Sequence, residues 1–386
     1  MRAFVYFIVF FSFFDLFSQL PVMSPFALSL GASSFLTGLA VGMYSFSNTI
    51  GNVISGFMTD RRGPFYILLI GLFASAISLF LYSFVYDPAS LLGVRFVHGF
   101  MEGLIVPAAF TFLANRAEES KRGRSVAISG AFVGMAAIIG PAYGGILGAK
   151  MGTPFIMAIN GGIMLVLAIL AFFTLRSFTY IRKLPVGKGE HVRVKQLFTH
   201  PGMIRAFAGA FFLMFSQGVL ALVLPLKVEF LGFDSKTSGM LLSTFGVVAI
   251  LIFLLPTNRI FDKARPMVTL AFGISLMGVS MILLSLVEDM ALLFIAMSLY
   301  GIGFAFLFPS INSLLIDSSS AEFRGKAYGY FYAFFSIGVV AGSSLIGYLD
   351  LSFKGGFMLT GIILLVVALY TIFGMKRNLT LTKNSQ

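Results

Sequence analysis

Apolar runs of close to twenty residues, separated by short charged or glycine-containing breaks, recur along the whole of this 386-residue chain. The hydrocarbon core of a bilayer is about 30 Å thick and takes about 20 apolar residues per helix, so the runs divide into about twelve spans. They lie near residues 4–26, 36–58, 65–86, 90–112, 126–148, 153–175, 203–226, 238–257, 266–287, 291–314, 327–349 and 355–375. Continuous runs of this kind exclude a transmembrane barrel, whose strands alternate over about ten residues. Only 11% of the chain is charged and 58% is hydrophobic, against roughly 25% charged in a soluble domain. The run that begins at Ala3 continues past Met23. It is longer than a secretory h-region, has no small-residue cleavage site before the next span, and reads as span 1.

A net charge of +12 raises nucleic acid as a partner, but the placement of the charge argues against it. With the amino terminus inside, 22 of the 27 Lys and Arg fall in cytoplasmic segments, four lie outside (Lys150, Lys227, Lys236, Lys354), and Arg95 lies within a span. This is the positive-inside asymmetry, so the basic loops are expected to meet anionic lipid headgroups. The expectation is a multi-pass protein of the cell membrane with both termini cytoplasmic and no nucleic-acid partner. The chain has no cysteine, which excludes disulfides, a thiolate nucleophile and cysteine-ligated metal. It has no tryptophan either, so any interfacial aromatic belt comes from its Tyr and Phe.

Shifting the chain by 202 residues places Asp60-Arg61 on Asp262-Lys263, Gly71 on Gly273, Gly99 on Gly301 and Pro107 on Pro309. The same shift pairs Arg122-Gly123-Arg124 with Arg324-Gly325-Lys326, and Gly140 with Gly342. Two charged loop motifs at one offset point to a duplicated unit, a common construction in transporters. The expected architecture is all-α, with twelve transmembrane helices in two pseudo-symmetric six-helix bundles, residues 1–175 and 203–386. The polar, basic segment 176–202 reads as a cytoplasmic linker.

Span 2 ends in Gly56-Phe-Met-Thr-Asp60-Arg61-Arg62-Gly63. This resembles the signature loop of the major facilitator superfamily, although Pro64 and Phe65 stand where that family continues with two basic residues. The resemblance implies a conformational latch in which Asp60 meets the start of span 11 near Arg324 to Ala327; an acid suits the positive end of a helix. The second-half copy keeps Asp262 and Lys263 but loses both glycines.

Span 4 carries Arg95, His98 and Glu102, three, four and seven residues apart and so on one helical stripe. Ionisable groups in mid-membrane cost several kcal/mol and nearly always face a partner or a water-filled cavity. The stripe resembles the superfamily's span 4 motif, which implies a role for Arg95 in proton transfer. His98 and Glu102 depart from that motif, and a role for Glu102 rests on its burial alone. Asp15 is the other intramembrane acid. Burial and a neighbouring guanidinium pull a carboxyl's proton affinity in opposite directions, which lets one site alternate between charged and neutral. Asp15, Glu102, Arg95 and His98 are therefore expected to share a proton-coupling site in the first half, because the position 202 residues after Asp15 is Gln217.

Span 5 contains Gly140-Pro141-Ala142-Tyr143-Gly144-Gly145. Glycine allows close helix packing and proline removes a backbone hydrogen bond, giving a bend. The run resembles the antiporter motif of the twelve-span drug:proton exporters, with Ala127 and Ala136 where that family has glycine. Candidate substrate-cavity residues are Gln217, Tyr44, Tyr143, Tyr300, Phe304, Tyr328 and Phe331, since aromatic pockets hold amphiphiles by shape and burial. No P-loop, HExxH spacing or nucleophile elbow is present, so neither an enzyme nor a metal or cofactor site is expected.

The resemblance implies alternating access, with protons driving a small hydrophobic or amphiphilic molecule outward through a monomer. A metabolite importer of the same fold and a non-transporting sensor remain alternatives. Importers more often carry Asn, Gln and Trp in the cavity, and sensors usually append a soluble domain. A topology reporter fused after Arg193 is expected to read cytoplasmic and one fused after Lys354 external; the opposite pattern would invert the orientation.

Overall fold

Prolines and glycines in this chain mark where the helices begin and end. The structure, a computed structural model, describes residues 2–114, 122–176, 198–254, 264–319 and 324–383. Helix α1 (Arg2–Gln19) stops before Pro21, which has no N–H to continue it, and the chain turns through residues 20–22 into α2 (Met23–Ser29), bent by 49°. Helix α3 (Ser34–Arg62) is separated from α4 (Pro64–Leu81) by Gly63 alone. Gly63 has φ 84 and ψ 158, a region open essentially only to glycine, and Pro64 then occupies the first helical position.

A 3-10 turn, Tyr82–Phe84, leads into α5 (Pro88–Gly103). Asp87 caps α5 in a reciprocal box with Ser90, accepting from its backbone N at 2.7 Å. Pro107 has no N–H for the Gly103 carbonyl, and the span closes into a tighter turn at Leu104 before resuming as α6 (Ile105–Ala114). Helices α7 (Arg122–Met151) and α8 (Thr153–Leu175) meet at Gly152, φ 81. The second half contributes α9 (Pro201–Phe230), α10 (Ser235–Leu254), α11 (Pro266–Leu286), α12 (Met290–Asp317), α13 (Arg324–Tyr348) and α14 (Phe353–Lys383). The described residues contain no strand.

Among the described residues ten helices are long and apolar enough to cross a membrane, and the bent pair α1–α2 makes an eleventh. Helix α3 spans 29 residues, about 43 Å at 1.5 Å per residue, but carries Asn48, Asn52 and Ser55. Those groups are satisfied inside the protein: Asn52 donates to Asn48 at 2.9 Å and Ser55 Oγ donates to the Leu104 carbonyl at 2.8 Å. With α3, all twelve runs of the sequence appear as helical spans, and two of them are broken where proline falls.

The chain separates into two compact units. The first comprises Met1–Gly187 with two stretches of the carboxyl half, Leu224–Ser243 and Ser343–Asp350; the second holds the rest. Within the first, α3 packs on α5, α1 on α7 and α4 on α8. Within the second, α11 packs on both α12 and α14. Lipid tails are as apolar as leucine, so close backbone approach and hydrogen bonds across helices hold such bundles together, the bonds at about 0.6 kcal/mol each. Ser280 Oγ to the Ala296 carbonyl at 2.6 Å and Ser310 Oγ to Thr269 Oγ1 at 2.6 Å are two of them.

The repeat reappears in which glycine touches which neighbour. A Cβ on Gly71 would lie 2.8 Å from Ile105, and one on Gly273 would lie 2.9 Å from Leu307, each pair 202 residues from its counterpart. Gly99 abuts Tyr44 in the first unit, and Gly301 abuts Phe245 in the second. Gly140 rests on Phe14 and Phe17, and Gly342 on Phe215.

Gly99→Val and Gly301→Val are each expected to lower stability by about 1–3 kcal/mol through forced helix separation. Gly93→Ala and Gly162→Ala, where no atom lies within 4 Å of an added Cβ, should instead gain about 0.5–1 kcal/mol. Thermal unfolding of the purified variants in one detergent reads both signs.

Candidate functional site

The pitch of α5 puts Arg95, His98 and Glu102 on one face, and all three are buried, at 4%, 0% and 1% exposure. Glycines let the neighbouring backbones come close enough to receive them: Gly99 against Tyr44 and Gly103 against Gly51 bring α3 onto α5. Helix α1 supplies Ser12, Asp15, Ser18 and Gln19 from the opposite side, all buried.

Arg95 is fully engaged. Its Nε donates to the Ala40 carbonyl at 2.7 Å, Nη2 to the Val41 carbonyl at 3.1 Å, and Nη1 to Gln19 Oε1. The guanidinium carbon lies 5.1 Å over the Tyr44 ring, within range of a cation–π contact. Gln19 Nε2 in turn donates to Asp15 Oδ2 at 2.7 Å. An amide thus stands between the guanidinium and the acid.

Asp15 also accepts from Asn160 Nδ2 of α8, at 2.8 Å on Oδ1. His98 Nε2 lies 3.1 Å from Asp15 Oδ2, an ion-pair distance, but off the line of a hydrogen bond. The other ring nitrogen, Nδ1, is 3.2 Å from the Tyr82 hydroxyl. Glu102 accepts from Ser12 on one carboxylate oxygen and from Ser75 on the other.

Asp15, His98 and Glu102 each offer an atom within 4.8 Å of the others, and are the one such group among the described residues spaced to hold a shared ion. Two ionised carboxylates beside one guanidinium leave a net charge of −1 when His98 is neutral. One proton neutralises the group, whereas a divalent metal ion overshoots to +1. In a low-dielectric interior an uncompensated charge costs several kcal/mol, so the charge balance suits a single positive charge, whether a proton or a monovalent cation.

The cluster therefore brings together Asp15, Arg95, His98 and Glu102, with Tyr44 against it; the Tyr44 ring is 5.2 Å from that of His98. Tyr143 is half-buried, its ring 4.8 Å from Phe14 and its hydroxyl donating to Asn160 Oδ1 at 3.2 Å. The remaining cavity candidates lie in the second unit. Gln217 is half-buried. Tyr300 is wholly buried with its hydroxyl 2.7 Å from Ser216 Oγ. Phe304 stacks on Phe308 at 5.7 Å, while Tyr328 and Phe331 join Tyr332 and Phe335 in an aromatic row along α13.

Gly140 and Gly144 of the span 5 run seat α7 on α1 at Phe17 and Ser18, directly beside Asp15. Pro141 and Gly145 pack against Gly239 within the same unit. Of the latch residues, Gly63 makes the turn described above and Gly56 faces open space. The Asp60 and Arg61 side chains, and Asp262 and Lys263 altogether, lie outside the described residues.

Sequence reasoning missed Ser12, Gln19, Ser75, Tyr82 and Asn160. Gln19 falls one turn after Asp15, and Asn160 is the one amide in α8, so both carried a signal. A serine in an apolar helix carries almost none, because it can bond back to its own turn.

Comparison with known proteins agrees with the fold. The family model described as Major Facilitator Superfamily matches residues 5–316 and again 206–385, the second match starting about one repeat after the first. An uncharacterised MFS-type transporter of Methanocaldococcus jannaschii is 22% identical over 335 residues, covering 85% of this chain and 86% of that protein. The multidrug resistance protein MdtG of Salmonella typhimurium is 25% identical over 356 residues, covering 90% and 87%. Among solved structures, the nucleoside transporter NupG superposes with a TM-score of 0.81 at 14% identity, covering 97% of this chain and 99% of that one. A bacterial homologue of the human lysosomal transporter Spinster gives 0.80 at 13% identity, covering 97% and 96%. The chain belongs to the major facilitator superfamily of membrane transporters.

Proposed function

We propose that this transporter exports small hydrophobic or amphiphilic molecules in exchange for protons, by alternating access. The observation that carries the reading is the buried Asp15–His98–Glu102 group beside Arg95, whose net charge of −1 a single proton cancels. Loaded and unloaded forms differ by a whole charge in low dielectric. Any conformation that wets or dries the site therefore changes proton affinity, and coupling needs that difference.

Neither Gln217, 202 residues after Asp15, nor Ser216, which meets Tyr300 as Asp15 meets His98, is an acid; this supports confining the proton chemistry to the first half and giving substrate a mainly aromatic cavity. The residues we assign to that cavity are Gln217, Tyr44, Tyr143, Tyr300, Phe304, Tyr328 and Phe331. Export is supported by the span 5 run, whose glycines and Pro141 join α1 to the Gly239 region, and by the 25% identity to MdtG. Asp60 and Arg61, with Asp262 and Lys263, are proposed as the latch between conformations. The bundles 1–175 and 203–386 would rock as a monomer in the cell membrane, with both termini cytoplasmic.

Efflux of a chemically diverse dye and drug panel from cells, with and without a proton gradient, tests the reading. Asp15→Asn and Glu102→Gln should each abolish gradient-driven efflux, a loss of at least about tenfold, since each removes the charge that the proton cancels. Arg95→Lys replaces a planar fork by a point charge that cannot reach Ala40, Val41 and Gln19 together, and should cost about 1–3 kcal/mol of thermal stability. Equal accumulation of every compound with and without the protein would refute export. Full gradient-driven activity in the Asp15 and Glu102 variants would refute the coupling site.

A further inference from the structure

Asp15 is 1% exposed, yet one chain of hydrogen bonds leads from it to a group that is partly open. The Tyr143 hydroxyl donates to Asn160 Oδ1 at 3.2 Å, and Asn160 Nδ2 donates to Asp15 Oδ1 at 2.8 Å and to Ser18 Oγ at 2.9 Å. We propose that Asn160 is a positioning residue that relays the ionisation of Asp15 to Tyr143 by reversing the direction of this chain; the proposal rests on Asp15 being a proton site.

With Asp15 ionised, every donor in the chain points towards the carboxylate. A proton on Oδ1 would face the Asn160 amino group, leaving two donors opposed with no acceptor between them. Turning the carboxamide over offers Oδ1 to the new carboxyl O–H and the amino group to Tyr143, and Ser18 Oγ, which loses the Asn160 donor, turns its own hydrogen from the Asp15 carbonyl to Asn160 Oδ1. Tyr143 must then accept, and its own hydrogen turns away towards its open side. The only covalent change is the new O–H; the rest is an exchange of hydrogen-bond directions at Asn160, Ser18 and Tyr143.

The second amide on Asp15 is held against the same turn. Gln19 Oε1 accepts from the charged Arg95 Nη1, and reversing Gln19 would set its amino group against the guanidinium. Asn160 Oδ1 is held only by a neutral phenol, so the Asn160 side yields. Tyr143 has little room to evade the reversal by moving: Gly140 would place a Cβ 2.8 Å from Phe17, and Gly144 rests on Ser18. The titratable and charged groups around Asp15 are His98, Glu102 and, through Gln19, Arg95 from α5; Tyr44 from α3; Tyr82 from the turn after α4; and Tyr143 from α7. From α8 it meets the neutral Asn160.

A half-open hydroxyl that changes from acceptor to donor gives a substrate a different partner in each proton state. Tyr143 thereby favours molecules bearing N–H or O–H donors while Asp15 is ionised. Protonation of Asp15 withdraws that acceptor.

Infrared difference spectra recorded across pH on the whole transporter in lipid nanodiscs test the relay without any substrate. The wild type should show a carboxyl C=O band that is lost in Asp15→Asn, together with a shift of a tyrosine C–O band that is lost in Tyr143→Phe. In Asn160→Leu the Asp15 band should still titrate while the Tyr143 band stays fixed. Asn160→Ala serves the same purpose if the leucine variant does not insert. A Tyr143 band that moves equally without Asn160, or that does not move in the wild type, overturns the relay and leaves the proton site standing. An Asp15 band that does not titrate in the wild type overturns both.

Discussion

A guanidinium inside a membrane protein must be matched where it stands, and the first unit is organised around that demand. Arg95 is 4% exposed and draws on two main-chain carbonyls of α3, an amide of α1 and the face of Tyr44. Helix carbonyls already bonded within α3 can accept a second donor, so the arginine is satisfied without consuming a carboxylate. Apart from the His98 ring 3.1 Å from Asp15, the two acids are supported by neutral donors: two amides for one, two hydroxyls for the other. A carboxylate held by amides and hydroxyls can change protonation without tearing apart an ion pair. The one permanent charge of the cluster is thus tied to main-chain carbonyls and an amide and not to either acid.

That arrangement depends on glycine. Arg95 reaches α3 because Gly99 and Gly103 let α5 approach it, and Asp15 lies under α7 because Gly140 and Gly144 do the same there. In lipid the reward for bringing helices together is small, so the contacts must be close to count. Helix α7 is therefore both a wall of the acid site and, through Pro141 and Gly145, a neighbour of Gly239. A change in the preferred position of α1 is felt on the opposite face of α7 without any long-range signal.

Twelve spans, the repeat and the α5 stripe were legible in the sequence because each rests on a periodic or charged signal. Apolar length marks a span whatever its neighbours do, and Arg95, His98 and Glu102 share a face by helical pitch alone. The breaks after Gln19 and at Leu104 were not read from the sequence, although Pro21 and Pro107 lie beside them, because the 49° bend and the turn depend on packing. The partner of Arg95 was harder. Opposite charges suggested an arginine facing the acids, whereas the structure interposes Gln19, whose role appears only when α1 and α5 are side by side. Asn160 lies 145 positions from Asp15, and no local pattern connects them.

The matched glycines also say something about what the two halves share. Gly71, Gly99 and Gly140 have glycine counterparts at close contacts in the other half, whereas Gly103 and Gly144 correspond to Ala305 and Ile346, and Asp15 has no acid at its counterpart. A matched glycine marks a place where both halves keep the same close helix approach. The two halves therefore share their shape at these three contacts and differ in the polar groups that each encloses.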